Sequence, residues 1–220
     1  MLKRQFQEIE HYPENIKVIV VDDCSKEEIK EWPERVDVYR ILDDIPWNRG
    51  GARNLGTLQA KTDWIVHIDI DHILPVESAI FLSNFMPDKD CWYRFPRFRV
   101  GPADETRRKD KIPDDCTFGK IHPHIDSYLV TKDNYWKAGG YDESYSGCLG
   151  GGSPFLEQLG KVAKLELLPD AISLHVHTRH STKDANTEDL SRDTSEYRRR
   201  RELIGHCRGE NPIRFDWVQL

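Results

Sequence analysis

Asp69 and Asp71 stand two residues apart at the end of an apolar run, Trp64-Ile-Val-His-Ile-Asp-Ile-Asp71, which His72-Ile-Leu-Pro75 closes. Residues at that spacing in an extended chain project to the same side, so the pair is expected to present two carboxylates to one point beyond a sheet edge. Mg²⁺ and Mn²⁺ take oxygen ligands of this kind and complete their shells with water and substrate phosphates. The substrate this chemistry implies carries a diphosphate. An isolated Asp-x-Asp also begins many solvated loops, so its weight comes from what surrounds it. Asp22 and Asp23 end a second apolar run, Lys17-Val-Ile-Val-Val21, and His175 and His177 share one face of a late segment, Ala171-Ile-Ser-Leu-His-Val-His177. A histidine from that segment is an expected third metal ligand.

The elements that must position these groups follow from periodicity. The Val- and Ile-rich runs ending at Asp22 and at Asp69 to Asp71 read as buried strands with acids at their carboxyl ends, where ligands bind in doubly wound sheets. Leu2, Phe6 and Ile9 recur at helical spacing and predict a helix over 2–11. Asn48 is the expected cap of a helix whose inner face carries Ala52, Leu55 and Leu58, with Gly50 and Gly51 leaving its start bare for a ligand and Arg53 in its first turns. Val76 to Phe85 reads as a helix burying Ile80, Phe81 and Phe85. Asp90 to Val100 reads as one strand with Arg94, Arg97 and Arg99 on its polar face, and residues 101–120 as a charged loop. Ser195 to His206 reads as a terminal helix, after which Phe215 and Trp217 dock back on the domain.

The 220 residues fit a single domain, in which 1–100 forms a nucleotide-sugar half, 101–180 an acceptor half and 181–220 a C-terminal loop and helix. A net charge of -6 argues against general nucleic-acid binding. No apolar run is long enough to span a membrane, and the first residues lack a signal-peptide core. Five scattered cysteines without a Cys-x-x-Cys pair predict free thiols in the cytoplasm.

Four stretches then fall in one order and spacing: Val-Ile-Val-Val-Asp-Asp-Cys-Ser (18–25), Asn-Arg-Gly-Gly-Ala-Arg-Asn-Leu-Gly (48–56), Asp-Ile-Asp (69–71) and Gly-Gly-Tyr-Asp-Glu (139–143). In these the chain resembles the family 2 glycosyltransferases of GT-A fold, over residues 1 to about 177. The resemblance implies an α/β fold with a mixed, mostly parallel sheet flanked by helices. It also implies a metal-dependent enzyme moving a sugar from a nucleotide-diphospho-sugar to a hydroxyl of a glycan, a protein or another acceptor. By it, Asp23, with Asp22 beside it, contacts the nucleobase, Arg53 supports the nucleotide, and Asp69 and Asp71 hold Mn²⁺ or Mg²⁺ on the diphosphate. One of His175 and His177 completes the metal shell, and Asp142 helps to shape the acceptor side.

Two departures from the family pattern carry expectations of their own. Where inverting members place a Glu-Asp whose Asp deprotonates the acceptor, this chain has Gly152-Ser153; a serine hydroxyl cannot accept that proton near neutral pH, which leaves Glu157 and Asp142 as candidate bases. Members also begin with an apolar strand, whereas here Met1 directly precedes the first helix, so the sheet is expected to lack that strand. Both departures define an alternative, a GT-A-like module that binds a nucleotide-sugar or a partner without turnover. A nucleotidyltransferase is a third reading, opposed by the missing Gly-rich Arg/Lys loop near the start.

Overall fold

The computed structural model describes residues 2–26, 29, 31–45, 47–100, 118–146, 152–177 and 213–220. Helix α1 (Leu2–Ile9) forms where the apolar positions recur and stops ahead of Pro13. Its Ile9 is buried with Val36 and Val38, and Phe6 packs on Trp32 at 5.7 Å between ring centroids. Strands β1 (Val18–Asp22) and β2 (Val36–Ile41) pair in parallel, Val18 opposite Val36 and Asp22 opposite Arg40. Among the described residues β1 has β2 on one side and no strand on the other.

Helix α2 (Arg49–Gln59) starts at Asn48, whose side chain accepts the Gly51 N–H. Its buried face is Gly51, Arg53, Asn54, Leu55 and Thr57, and Leu58 is exposed. The expected face of Ala52, Leu55 and Leu58 is thus rotated, because polar side chains point inward at the site. Gly56 lies on Ile19 and Val21 of β1, and the Thr57 hydroxyl meets His67 Nε2 at 3.0 Å, so one turn of α2 bridges two strand ends.

The run from Trp64 does not continue as one strand. β3 (Trp64–His67) ends two residues before Asp69, a turn closed by the His72 N–H on the Asp69 carbonyl (2.9 Å) follows, and β4 (His72–Ile73) begins after it. The extended geometry expected to aim Asp69 and Asp71 at one point is therefore absent. Gln5 Nε2 of α1 clamps this turn by donating to the carbonyls of Ile70 and His72, both at 2.9 Å. Helix α3 (Val76–Asn84) buries Ser78 and Ala79; Ile80 and Phe81, expected inside, are exposed, and Leu82 and Phe85 make the apolar contact instead.

The expected single strand over Asp90 to Val100 is two. β5 (Cys91–Arg94) and β6 (Arg97–Val100) lie in different sheets, separated at Pro96, which has no N–H to give a ladder. The described part of the expected 101–120 loop, Phe118–Gly119–Lys120, belongs to strand β7 (Phe118–Ile121), and the rest lies outside the described residues. Strand β8 (Tyr128–Thr131) leads into α4 (Lys132–Lys137), and α5 (Gly152–Val162) precedes β9 (Lys164–Leu167), β10 (Leu174–His177) and β11 (Trp217–Gln219). The expected helix over 195–206 lies outside the described residues.

Among the described residues the strands form three sheets, ordered β1-β2-β11, β3-β8-β5-β9 and β4-β10-β6-β7. In the second, β3 pairs antiparallel with β8, with His67 opposite Tyr128. Beneath it Tyr128, Tyr135, Tyr141 and Phe155 form an aromatic core between β8, α4 and α5, with Tyr141 stacked on Phe155 at 4.5 Å. Each such ring, fully buried, contributes about 1.5–3 kcal/mol. Phe215 is buried against Leu55 and Ile41, and Trp217 meets Tyr39 edge-on, so the C-terminal residues dock as expected. Among the described residues no helix is long and apolar enough to cross a membrane.

Candidate functional site

The β3–β8 register builds the site. With His67 opposite Tyr128, residues just after His67 and just before Tyr128 lie at the same sheet end, which brings Asp69 beside His124 and Asp126. One ligand atom from each of these three lies within 4.8 Å of the others. His124 Nδ1 is 3.5 Å from Asp69 Oδ2 and 3.2 Å from the Ser127 hydroxyl. Burial lowers the His124 pKa, outweighing the pull of Asp69, so its imidazole is neutral and offers a lone pair near pH 7.

Arg49 and Arg53, one turn apart on α2, cover the two carboxylates. Arg49 Nη1 reaches Asp126 Oδ2 at 2.6 Å, and Arg53 Nη2 donates to Asp69 Oδ1. Burial raises the Asp126 pKa, but Arg49 and Arg53 lower it by more, and the net shift keeps it ionised. Arg53 is 7% exposed, its guanidinium lies 5.6 Å from the Tyr141 ring, and its Nη1 is buried with no hydrogen-bond partner. Burial opposes its charge, and the surrounding tyrosine and carboxylate oxygens restore it. His67, stacked on Tyr135 at 5.3 Å and held neutral by burial, fixes α2 against β3 through Thr57.

Asp71 is bound to His72 rather than grouped with these three residues. Arg97 Nη1 donates to His72 Nε2 at 3.0 Å, which leaves the proton on Nδ1 to donate to Asp71 Oδ1 at 2.8 Å. The His72 ring in turn packs on His124 at 4.6 Å between centroids. His175 is half-buried with Glu8, Arg4 and Glu77 as its charged neighbours, and burial lowers its pKa. His177 ends β10 opposite Val100, and its side chain lies outside the described residues. Neither Asp71 nor His175 is in the three-residue group.

At the end of β1 the two acids differ. Asp22 is saturated, its Oδ2 taking Arg40 at 2.7 Å and its Oδ1 the Ser25 N–H at 3.0 Å. Asp23 accepts the Asn48 N–H at 2.8 Å through Oδ2, while its Oδ1 is buried without a partner. Burial pushes its pKa up to about 6, helped by Asp22 and Asp44 and opposed by the Asn48 N–H. Cys24, next to Asp23, and Trp47, next to Asn48, both hold left-handed backbone, φ 51° and 44°, an uncommon conformation for side chains of that size.

Further along α2, Asn54 holds the Tyr141 turn, taking its N–H at 2.9 Å and donating to its carbonyl at 2.8 Å. Asp142 follows, half-buried; Glu157 is exposed on α5. The start of α5 presses on Asp126, since a Cβ at Gly152 would collide with its carboxylate. Reading of the sequence passed over His124, Asp126, Arg49 and His72. A signal existed, because His124-Ile-Asp126 before a strand repeats the two-residue spacing of Asp69 and Asp71.

This arrangement sits in the fold of the GT-A glycosyltransferases. TarS 1–349 from S. aureus aligns with a TM-score of 0.56 at 14% identity, covering 79% of this chain and 56% of that one. Its complex with UDP-GlcNAc gives 0.57 at 12%, covering 81% and 55%. GalNAc-T7 with UDP, GalNAc and Mn²⁺ gives 0.50 at 16%, covering 74% and 38%. The chain thus spans little more than half of TarS 1–349 and 35% of the longer TarS chain. Among curated proteins none matches it. The sequence model described as Glycosyl transferase family 2 matches residues 2–133, more than half of the chain, and the chain belongs to that family.

Proposed function

We propose that the protein is a metal-dependent glycosyltransferase that moves a sugar from a nucleotide-diphospho-sugar to an acceptor hydroxyl. The observation that carries this reading is Arg53: a buried guanidinium beside Asp69 with Nη1 unpaired. An unpaired buried charged donor is unfavourable by several kcal/mol unless an anion reaches it, and phosphate fits the guanidinium fork. Asp69, His124 and Asp126 would hold Mn²⁺ or Mg²⁺, which fits their oxygen and nitrogen donors, with Asp71 at the same turn as a further candidate ligand. When bound, that cation neutralises charge developing on the leaving diphosphate. Arg53 donates to the same oxygens. Asp23 Oδ1, buried without a partner, accepts an N–H from the nucleobase, which stabilises a carboxylate that burial disfavours. The complexes of TarS with UDP and UDP-GlcNAc, and of GalNAc-T7 with UDP and Mn²⁺, support a UDP-sugar donor here. Asp142, half-buried after the tyrosine that covers Arg53, is the better placed of the two candidate bases, and Glu157 is the other. Free Cys24 and Cys91 fit a reducing cytoplasm.

A second reading, a binding module without turnover, is favoured by Gly152: the start of α5 offers Asp126 no room for a side chain, let alone a carboxylate. Donor hydrolysis decides between them. UDP-, GDP- and dTDP-sugars are incubated with the protein and Mn²⁺ in the absence of acceptor. Release of nucleoside diphosphate from one donor, lost in Arg53→Ala, is expected. Binding without release supports the module, and a protein that neither binds nor cleaves any donor refutes both.

A further inference from the structure

Resting on the donor-site reading above, we infer that Arg49 and Arg53 stand in for the cation in the ligand-free protein and make its binding at Asp69, His124 and Asp126 conditional on a diphosphate. The charges of the cluster balance without a metal. Two carboxylates meet two guanidiniums, Asp126 with Arg49 at 2.6 Å and Asp69 with Arg53, while His124 adds a nitrogen donor between them. A divalent ion entering this group alone would leave an excess of two positive charges among side chains that are mostly buried, where like charges a few ångströms apart repel strongly. A nucleoside diphosphate carries the compensating negative charge. It also offers phosphate oxygens to Arg53 Nη1, which is buried, unpaired and adjacent to the cluster. That orphan donor leaves the cluster a position that a phosphate oxygen can take without breaking an existing ion pair.

The two arginines are suited to exchange partners. They lie four residues apart on one face of α2, so a single diphosphate can meet both. Arg49, with 28% of its side chain exposed, has room to leave Asp126, whereas Arg53 needs only its free Nη1 to begin the exchange. As phosphate takes the guanidiniums, Asp69 and Asp126 become acceptors for the metal. His124 makes the site one that suits Mn²⁺ better than Mg²⁺, since imidazole is a poor ligand for the latter. Metal and diphosphate are then linked, and each must raise the affinity of the other by the same factor.

The test measures Mn²⁺ binding by water-proton relaxation, with and without UDP and corrected for the Mn²⁺–UDP complex in solution. Wild type is expected to bind Mn²⁺ alone weakly and about 30-fold or more tightly with UDP, a factor in the upper range of ordinary coupling. Arg49→Gln removes one guard charge and should bind Mn²⁺ alone about 10-fold tighter than wild type, with a smaller gain from UDP. Arg49→Lys keeps the charge and should stay near wild type for Mn²⁺ alone, which separates charge from packing. His124→Ala should weaken Mn²⁺ in both states. Equal Mn²⁺ affinity with and without UDP in wild type, an Arg49→Gln protein no tighter for Mn²⁺ than wild type, or an indifferent His124→Ala overturns the inference while leaving a donor site standing. Absence of any UDP or Mn²⁺ binding to wild type overturns both.

Discussion

Asp23→Asn separates what this partly buried carboxylate does for folding from its proposed role in binding a nucleobase. In the native protein burial pushes the Asp23 pKa from 3.8 up to about 6. A displacement of that size corresponds to about 3 kcal/mol between the two protonation states. Asp23 is only partly buried, so screening by solvent reduces this to about 1–2 kcal/mol. A raised carboxyl pKa means that the native state holds the proton more tightly than the unfolded chain. Between pH 3.8 and about 6 the native protein therefore carries more protons, and its stability falls as pH rises through that window. At pH 7.5 the deprotonated Asp23 thus destabilises the ligand-free protein, and an asparagine does not. The asparagine oxygen still accepts the Asn48 N–H, so the local geometry survives.

Urea unfolding of wild type and Asp23→Asn at pH 3.5 and 7.5 reads this directly, because all other titrating groups cancel in the difference. The variant is expected to be more stable by about 1–2 kcal/mol at pH 7.5 and nearly equal at pH 3.5. Its affinity for UDP should fall about 10-fold or more, since a charged acceptor is exchanged for a weaker one. A variant no more stable than wild type at pH 7.5, or one whose advantage is the same at both pH values, refutes the strained-carboxylate argument. A variant that gains stability and keeps full UDP affinity refutes the binding role alone.

Other substitutions test the remaining contacts. Calorimetry on Asp71→Ala should show loss of metal-dependent UDP affinity with the fold intact, and unchanged affinity removes Asp71 from the metal site. If His175 or His177 completes the metal shell, alanine at one of them weakens Mn²⁺ about 10-fold or more and at the other little; negligible effects of both leave that place to His124. Gly152→Ala drives a methyl into the Asp126 carboxylate and should lower stability by about 1–3 kcal/mol in urea unfolding, so a neutral result means that α5 shifts freely. Ser153→Asp puts a carboxylate one residue past Gly152, the position that touches Asp126. Donor hydrolysis should then rise by up to about the 10²–10⁴-fold that general bases supply, and no gain from an active wild type shows that the reaction needs no base there.

Much of the local structure was legible because its signals are local. Apolar runs ending in acids gave β1 and β3, and Asn48 ahead of Arg49-Gly-Gly gave the start of α2. The turn at Asp69–His72 was hidden because Ile68 and Ile70 prolong the strand alternation, although Ile70 is in fact 57% exposed. Pro96 did signal the break between β5 and β6, and alternating aromatic and basic residues on both sides masked it. The rotation of α2 had no local signal at all. Arg53 and Asn54 look like a solvated face until Asp69 and the Tyr141 backbone arrive to pair with them.

The site residues that sequence reading missed were missed for one reason. His124 and Asp126 acquire their role only through the β3–β8 register, which no spacing within either segment reveals. A slip of one residue in that pairing would turn Asp126 to the other sheet face, away from Asp69 and Arg49. The aromatic core under β8 is what forbids the slip: Tyr128 packs between His67, Trp92 and Phe155, and its hydroxyl meets that of Tyr141, which also leans on Arg53. The rings that stabilise the domain therefore set the distance between Asp69 on the β3 turn and the His124–Asp126 pair before β8. The metal and diphosphate chemistry proposed for this sheet end depends on packing about one strand away from it.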